Sequence, residues 1–124
     1  MKIYRIAFES PELRQLNDAL EKKYPGLSLF VWENELKVYV SEIRLKPEMQ
    51  NQGIGTAVMR RIQEYATKVG KPVVLHPQPD SRKKEKLTNF YKNLGFIDNK
   101  GRKTDYRLTE PFARTMYWRP PKKD

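Results

Sequence analysis

The feature that most constrains this chain is a strand that runs through a pair of glycines into a helix, followed at once by another strand. "ELKVYVSEIRL" (35–45) reads as the first strand, and "QNQGIG" (50–55) carries the glycines. Ile54, Val58, Ile62, Tyr65, Ala66 and Val69 then form a helical stripe that Gly70 ends. "PVVLHP" (72–77) is short, β-branched and closed by Pro77, so it is a strand. This order is a βαβ crossover, which sets the two strands side by side, parallel and joined right-handedly. The fold class is therefore α/β.

The flanking segments fit the same architecture. "KIYRIAFE" (2–9) reads as an opening strand. The helix after it has Ser10 as N-cap, Pro11 at its first position and Pro25-Gly26 at its end. Leu13, Leu16, Ala19 and Leu20 give that helix one core-facing stripe. Residues 27–33 and 35–45 form a hairpin around Asn34. A further helix, "SRKKEKLTNFYKNLG", is capped by Asp80 or Ser81 and closed by Gly95, with Leu87, Phe90, Tyr91 and Leu94 as its apolar stripe. Phe96 can pack back on it. Phe96–Asp98 and "FARTMYWR" give two last strands. The 124 residues form one domain, 1–124, with a mixed central sheet flanked by helices.

Composition removes several chemistries. There is no cysteine, hence no disulfide and no thiol nucleophile, and a single histidine leaves no zinc site of His and Cys. No metal is expected. No apolar run approaches a membrane span and the N-terminus lacks a signal peptide's apolar core, so a cytoplasmic domain without membrane contact is expected. Twenty-five Lys and Arg against fifteen acids give a net charge of +10. Such an excess attracts anions, from nucleic acid to a phosphorylated cofactor, and equally keeps a small protein soluble.

The glycines point to one such anion. Where a strand enters a helix, successive backbone N–H groups lack intrahelical partners, and the helix dipole adds positive charge. A phosphate or pyrophosphate is the natural ligand, and Gly53 and Gly55 let the backbone approach it. A dinucleotide fingerprint needs a third glycine where Val58 stands, with an acid closing "VVLH". A triphosphate loop needs Gly-Lys-Ser/Thr, which does not occur.

With those two excluded, "QNQGIG" resembles the Gln/Arg-x-x-Gly-x-Gly/Ala loop of the GNAT superfamily of acyl-CoA-dependent N-acetyltransferases. "NFYKNLGF" (89–96) is similar to that family's second signature, an aromatic-Tyr pair, three residues, then Gly-Phe. The resemblance covers Leu36 to Phe96. It implies a sheet splayed at an acetyl-CoA site and acetyl-CoA as cosubstrate. The pyrophosphate would lie on the backbone of Gln50, Asn51, Gln52, Gly53, Ile54, Gly55 and Thr56, and the pantetheine arm and thioester on Ile43, Arg44 and Leu45. Tyr91 is then the acid for the departing sulfur, a phenol being neutral at pH 7 with a pKa close to a thiol's.

The base and the acceptor are less constrained. His76 ends "VVLH", and an imidazole can take a proton from an ammonium substrate, directly or through water. Tyr39 and Ser41 share a strand face with Ile43, whereas Glu42 points away unless a bulge intervenes. The family often has asparagine seven residues before the tyrosine; here Lys84 stands there and could grip a CoA phosphate. The N-terminal half is short for the family, so the amine acceptor (protein, small molecule or aminoacyl-tRNA) is not inherited with the resemblance. The alternative is a basic, nucleic-acid-associated binding module on the same fold, with aromatics interleaved among cations as in "RTMYWRPPKK". Monomer and homodimer are both compatible with the sequence.

Overall fold

The structure is a computed structural model that describes residues 10–77, 84–101, 104–105, 108 and 114–121. The expected opening strand at 2–9 and the expected caps Asp80 and Ser81 lie outside those residues. Helix α1 spans Pro11–Lys23, and the Ser10 side chain accepts from the Leu13 N–H as its N-cap. Its buried stripe is Leu13, Asn17 and Leu20. Ala19, expected inside, is exposed, and Asn17 takes the inner position because its side-chain NH2 reaches the Val31 carbonyl at 3.4 Å.

Strands β1 (Ser28–Glu33) and β2 (Val38–Arg44) pair antiparallel. The turn between them is held by Asn34, whose side-chain oxygen accepts from the Leu36 and Lys37 N–H groups at 2.7 and 3.0 Å. A short 3₁₀ turn at Pro47–Met49 leads to α2 (Ile54–Val69), which Gly70 closes in the left-handed conformation. Strand β3 (Val73–Leu75) lies parallel to β2, as the crossover requires. Helix α3 (Lys84–Asn93) follows, then β4 (Ile97–Asp98) and β5 (Met116–Trp118), giving a five-stranded mixed sheet in the order β1-β2-β3-β5-β4.

Leu13 and Leu20 of α1, Val58, Met59 and Ile62 of α2, Tyr91 of α3 and Leu94 just after it share one buried core against the sheet. On the opposite face a smaller cluster gathers Tyr39, Val74 and Leu108, with Trp32 stacked on Tyr39 at 4.6 Å. At the edge of the main core Glu33, 2% exposed, is bound by Lys71 at 2.9 Å and by the Tyr65 hydroxyl. Tyr65 also meets Ser10 at 2.9 Å, so this polar network joins α1, β1, α2 and the entry to β3.

Two irregularities open the sheet. Phe30 and Val31 are neighbours on β1, yet their partners on β2 are Glu42 and Val40, so Ser41 is an extra residue, a β-bulge. Pairing of β2 with β3 stops at Val40 and Leu75, two residues before Pro77 ends the second segment. Beyond that point Ser41–Arg44 keep their neighbour β1 and have no partner on β3.

The bulge corrects the expected facing of β2. Ile43 packs with Val38 and Val40 on the main core, whereas Tyr39 belongs to the cluster on the other face. The extra residue reverses the alternation beyond Ser41, so Glu42 falls on the Tyr39 face and Ile43 does not.

Candidate active site

Two adjoining pockets occupy the opening. One, about 340 Å³, is walled by Ile43 and Leu45, by Gln50, Asn51 and Gly53–Thr56 of the glycine loop, and by Leu87, Phe90 and Tyr91 of α3. The other, about 360 Å³, lies between the separated strand ends, with Glu42, Arg44, His76 and Tyr91 among its walls. Ile43, Leu87 and Tyr91 line both, so the two are parts of one groove.

The loop is shaped for an anion. Asn51 (φ 63°) and Gly53 (φ 76°) are both left-handed, which turns the chain sharply into α2. Gly53 is the N-cap and provides no side-chain cap, so the first N–H groups of α2 are not taken up by a capping side chain. Gln50 and Gln52 turn their amide nitrogens back to the carbonyls of Leu45 (3.2 Å) and Glu48 (2.6 Å), which holds the loop in place. Gln52 is the one loop residue expected at the site that lines neither pocket. Lys84 opens α3, but its side chain lies outside the described residues.

The two glycines act differently from one another. A Cβ on Gly53 would meet nothing within 4 Å, so its need for glycine is the positive φ. A Cβ on Gly55 would lie 3.3 Å from the Phe90 ring, so this glycine lets α2 approach α3 closely.

Tyr91 is 6% exposed and meets Phe90 and Phe96 edge-on at 5.1 and 5.8 Å. Its hydroxyl makes no hydrogen bond to a described residue. Burial pushes its pKa up to about 12, above the thiol-like value expected from the sequence, because the phenolate loses its hydration. The group is thus a firmly protonated donor beside the groove. His76 follows β3 and lines the strand-end pocket with Tyr91. Arg44 extends outward, its side chain 77% exposed, and pairs with Glu42 at 3.2 Å.

Sequence reasoning set Glu42 aside, yet it lines the pocket. Its signal was the polar pair Ser41-Glu42 interrupting the apolar run between Val40 and Ile43. Gln63, also missed, sends its side-chain N–H to the Leu94 carbonyl at 2.9 Å and fastens the end of α3 to α2.

A parallel strand pair parted beside a helix N-terminus without a side-chain cap, with a buried phenol on the wall of the gap, places the protein among open mixed-sheet α/β folds. The chain belongs to the acetyltransferase (GNAT) family, whose profile matches residues 4–96. The curated proteins contain no match. Among solved structures it is similar to the anti-CRISPR protein AcrVA5, with 26% identity, TM-score 0.56, and 75% of this chain and 90% of that one covered. Arabidopsis thaliana Naa50 bound to the bisubstrate analogue CoA-Ac-MVNAL matches at 20% identity and TM-score 0.52, over 73% of this chain and 61% of that chain. The PaiA N-acetyltransferase of Thermoplasma acidophilum with coenzyme A matches at 17% identity and TM-score 0.52, covering 89% and 71%.

Proposed function

We propose that this protein transfers the acetyl group of acetyl-CoA to a primary amine. The observation that carries the reading is the continuity of the groove: the glycine loop and Tyr91 stand on its walls, joined through Ile43 and Leu87. The backbone at Gly53–Thr56 fits a pyrophosphate, since it joins N–H groups that no side chain caps to a helix dipole. Ile43, Arg44 and Leu45 border the path from there to the strand opening, where their backbone can meet the pantetheine arm. The coenzyme A and bisubstrate complexes of the relatives support the same cosubstrate.

Acetyl-CoA supplies the activated thioester carbonyl. An amine attacks only with a free lone pair, and His76, on the strand-end side, takes the ammonium proton directly or through a water. As the carbon–nitrogen bond forms and the carbon–sulfur bond breaks, Tyr91 donates a hydrogen bond and then its proton to the sulfur. The second proton lost by nitrogen restores the phenol, so one proton is released per turnover. With its pKa raised to about 12 by burial, the phenol is protonated at neutral pH and can donate a hydrogen bond to the sulfur as negative charge develops there.

Calorimetric titration with acetyl-CoA tests the reading. Saturable binding is expected, weakened in Gly53→Ala, where an alanine at φ 76° strains the loop. No binding at millimolar acetyl-CoA would overturn it.

A further inference from the structure

The bulge at Ser41 gives the opening two distinct sides. On the core side lie Ile43, the glycine loop and α3. On the other face Glu42 and Arg44 stand opposite Phe30 and Ser28 of β1. The Glu42 carboxylate is fixed there: one oxygen accepts from the Ser28 hydroxyl at 2.6 Å and the other faces Arg44 at 3.2 Å. It lines the same pocket as His76. Phe30, its cross-strand partner, is 62% exposed, the most exposed large apolar side chain among the described residues. An exposed ring paired across the strands with a held carboxylate of the pocket wall gives a recognition surface with one charged and one apolar half.

We propose that Glu42 and Phe30 recognise the acceptor, which is the free N-terminus of a polypeptide whose first residue is large and apolar. The inference rests on the acetyl transfer proposed above and names its acceptor. Glu42 attracts the ammonium group, Phe30 receives the first side chain, and His76 within the pocket takes the proton. Directly opposed cross-strand residues hold their Cβ atoms about 5 Å apart, so the two side chains are near enough to meet two groups borne on one residue of the acceptor. A lysine amine ends a bare stem and leaves Phe30 without a partner. Glu42 already shares its charge with Arg44 and Ser28, so it suits holding a cation better than removing a proton.

The experiment follows CoA thiol release with pentapeptides that differ only in a first Leu, Phe or Gly, and with an N-terminally blocked peptide containing one lysine. The wild type should prefer Leu and Phe over Gly by about tenfold in kcat/KM, the size of one partly buried apolar side chain. Phe30→Ser should abolish that preference without changing the acetyl-CoA Kd or the Tm. Glu42→Gln should raise KM for every peptide while kcat and the acetyl-CoA Kd stay level. Faster transfer to the blocked lysine peptide, an intact preference in Phe30→Ser, or a loss in kcat alone for Glu42→Gln would overturn the proposal. Those results leave acetyl transfer standing, whereas failure to bind acetyl-CoA removes the transfer reading itself.

Discussion

The Tyr91 side chain belongs both to the core and to the wall of the groove, and substitution separates the ring from the hydroxyl. Tyr91→Phe keeps the edge contacts with Phe90 and Phe96 and removes only the donor. Turnover should fall by about 10²–10⁴, the usual contribution of a positioned acid, with Tm and acetyl-CoA affinity unchanged; stopped assays on a verified acceptor read this directly. The folded pKa of about 12 lies above the ordinary tyrosine value, so the native state favours the protonated phenol. That contribution to stability is complete below about pH 10 and is lost as pH rises towards 12. The Phe variant should therefore lose less Tm than the wild type between those limits. At this scale the sequence pattern singled out Tyr91, His76 and the glycine loop, which line one groove, but not what surrounds each of them. Whether a glycine serves φ or close packing depends on Phe90, a residue 35 positions away on another helix. The upward shift of the phenol likewise depends on what surrounds the ring, which periodicity does not encode.

Glu33 belongs to the scale of elements, because its partners come from the cap of α1, from α2 and from the link between α2 and β3. Burial works to raise its pKa, but hydrogen bonds from Tyr65, Lys71 and Ser10 outweigh that and hold it below the usual carboxylate value. A depressed folded pKa adds stability that is present above the unfolded value near 4.3 and is lost as pH falls through the folded pKa. Glu33→Gln should cost about 3 kcal/mol at neutral pH, since it breaks a largely buried ion pair. The gap between the two denaturation curves should close as the pH drops below about 4, and a gap that stays constant would count against the network. The helices and the hairpin were legible as elements, because Ser10, Pro11, Asn34, Gly70 and Gly95 are local signals. The bulge was not: nothing local distinguishes an extra residue from a regular one, and register is fixed only by pairing with β1. Asn17 was missed on α1 for a similar reason, its burial being decided by a carbonyl on β1.

For the whole molecule, the parallel placement of β2 and β3 followed from the crossover, a rule of topology rather than of local pattern. The insertion of β5 between β3 and β4 did not, since strands of two and three residues carry too little pattern to reveal their neighbours. The charge of +10 is a property of the same scale. Part of it is locally engaged: Arg114 meets Asp98 at 2.7 Å, and Arg119 meets Asp105 at 2.6 Å while lying over the Tyr117 ring. A binding role for nucleic acid predicts affinity that collapses by orders of magnitude between about 50 and about 200 mM salt, because counterions are released with each phosphate bound. Acetyl-CoA binding, anchored on backbone groups, should weaken far less over the same range. Gel shifts with a single-stranded oligonucleotide beside the calorimetry measure both. Oligonucleotide binding that is tight at low salt and falls steeply as salt rises, together with no acetyl-CoA binding, would favour the binding-module alternative.

The extra residue at Ser41 also divides β2 in time. Val38–Val40 are flanked on both sides by strands, whereas Glu42–Arg44 pair with β1 alone among the described residues. Isotope exchange at backbone amides should therefore change sharply within a single strand, slow before the bulge and fast after it. A ligand lodged in the opening should slow the fast half and leave the slow half as it was. Mass spectrometry of deuterated peptides would locate the occupied strand edge without any turnover.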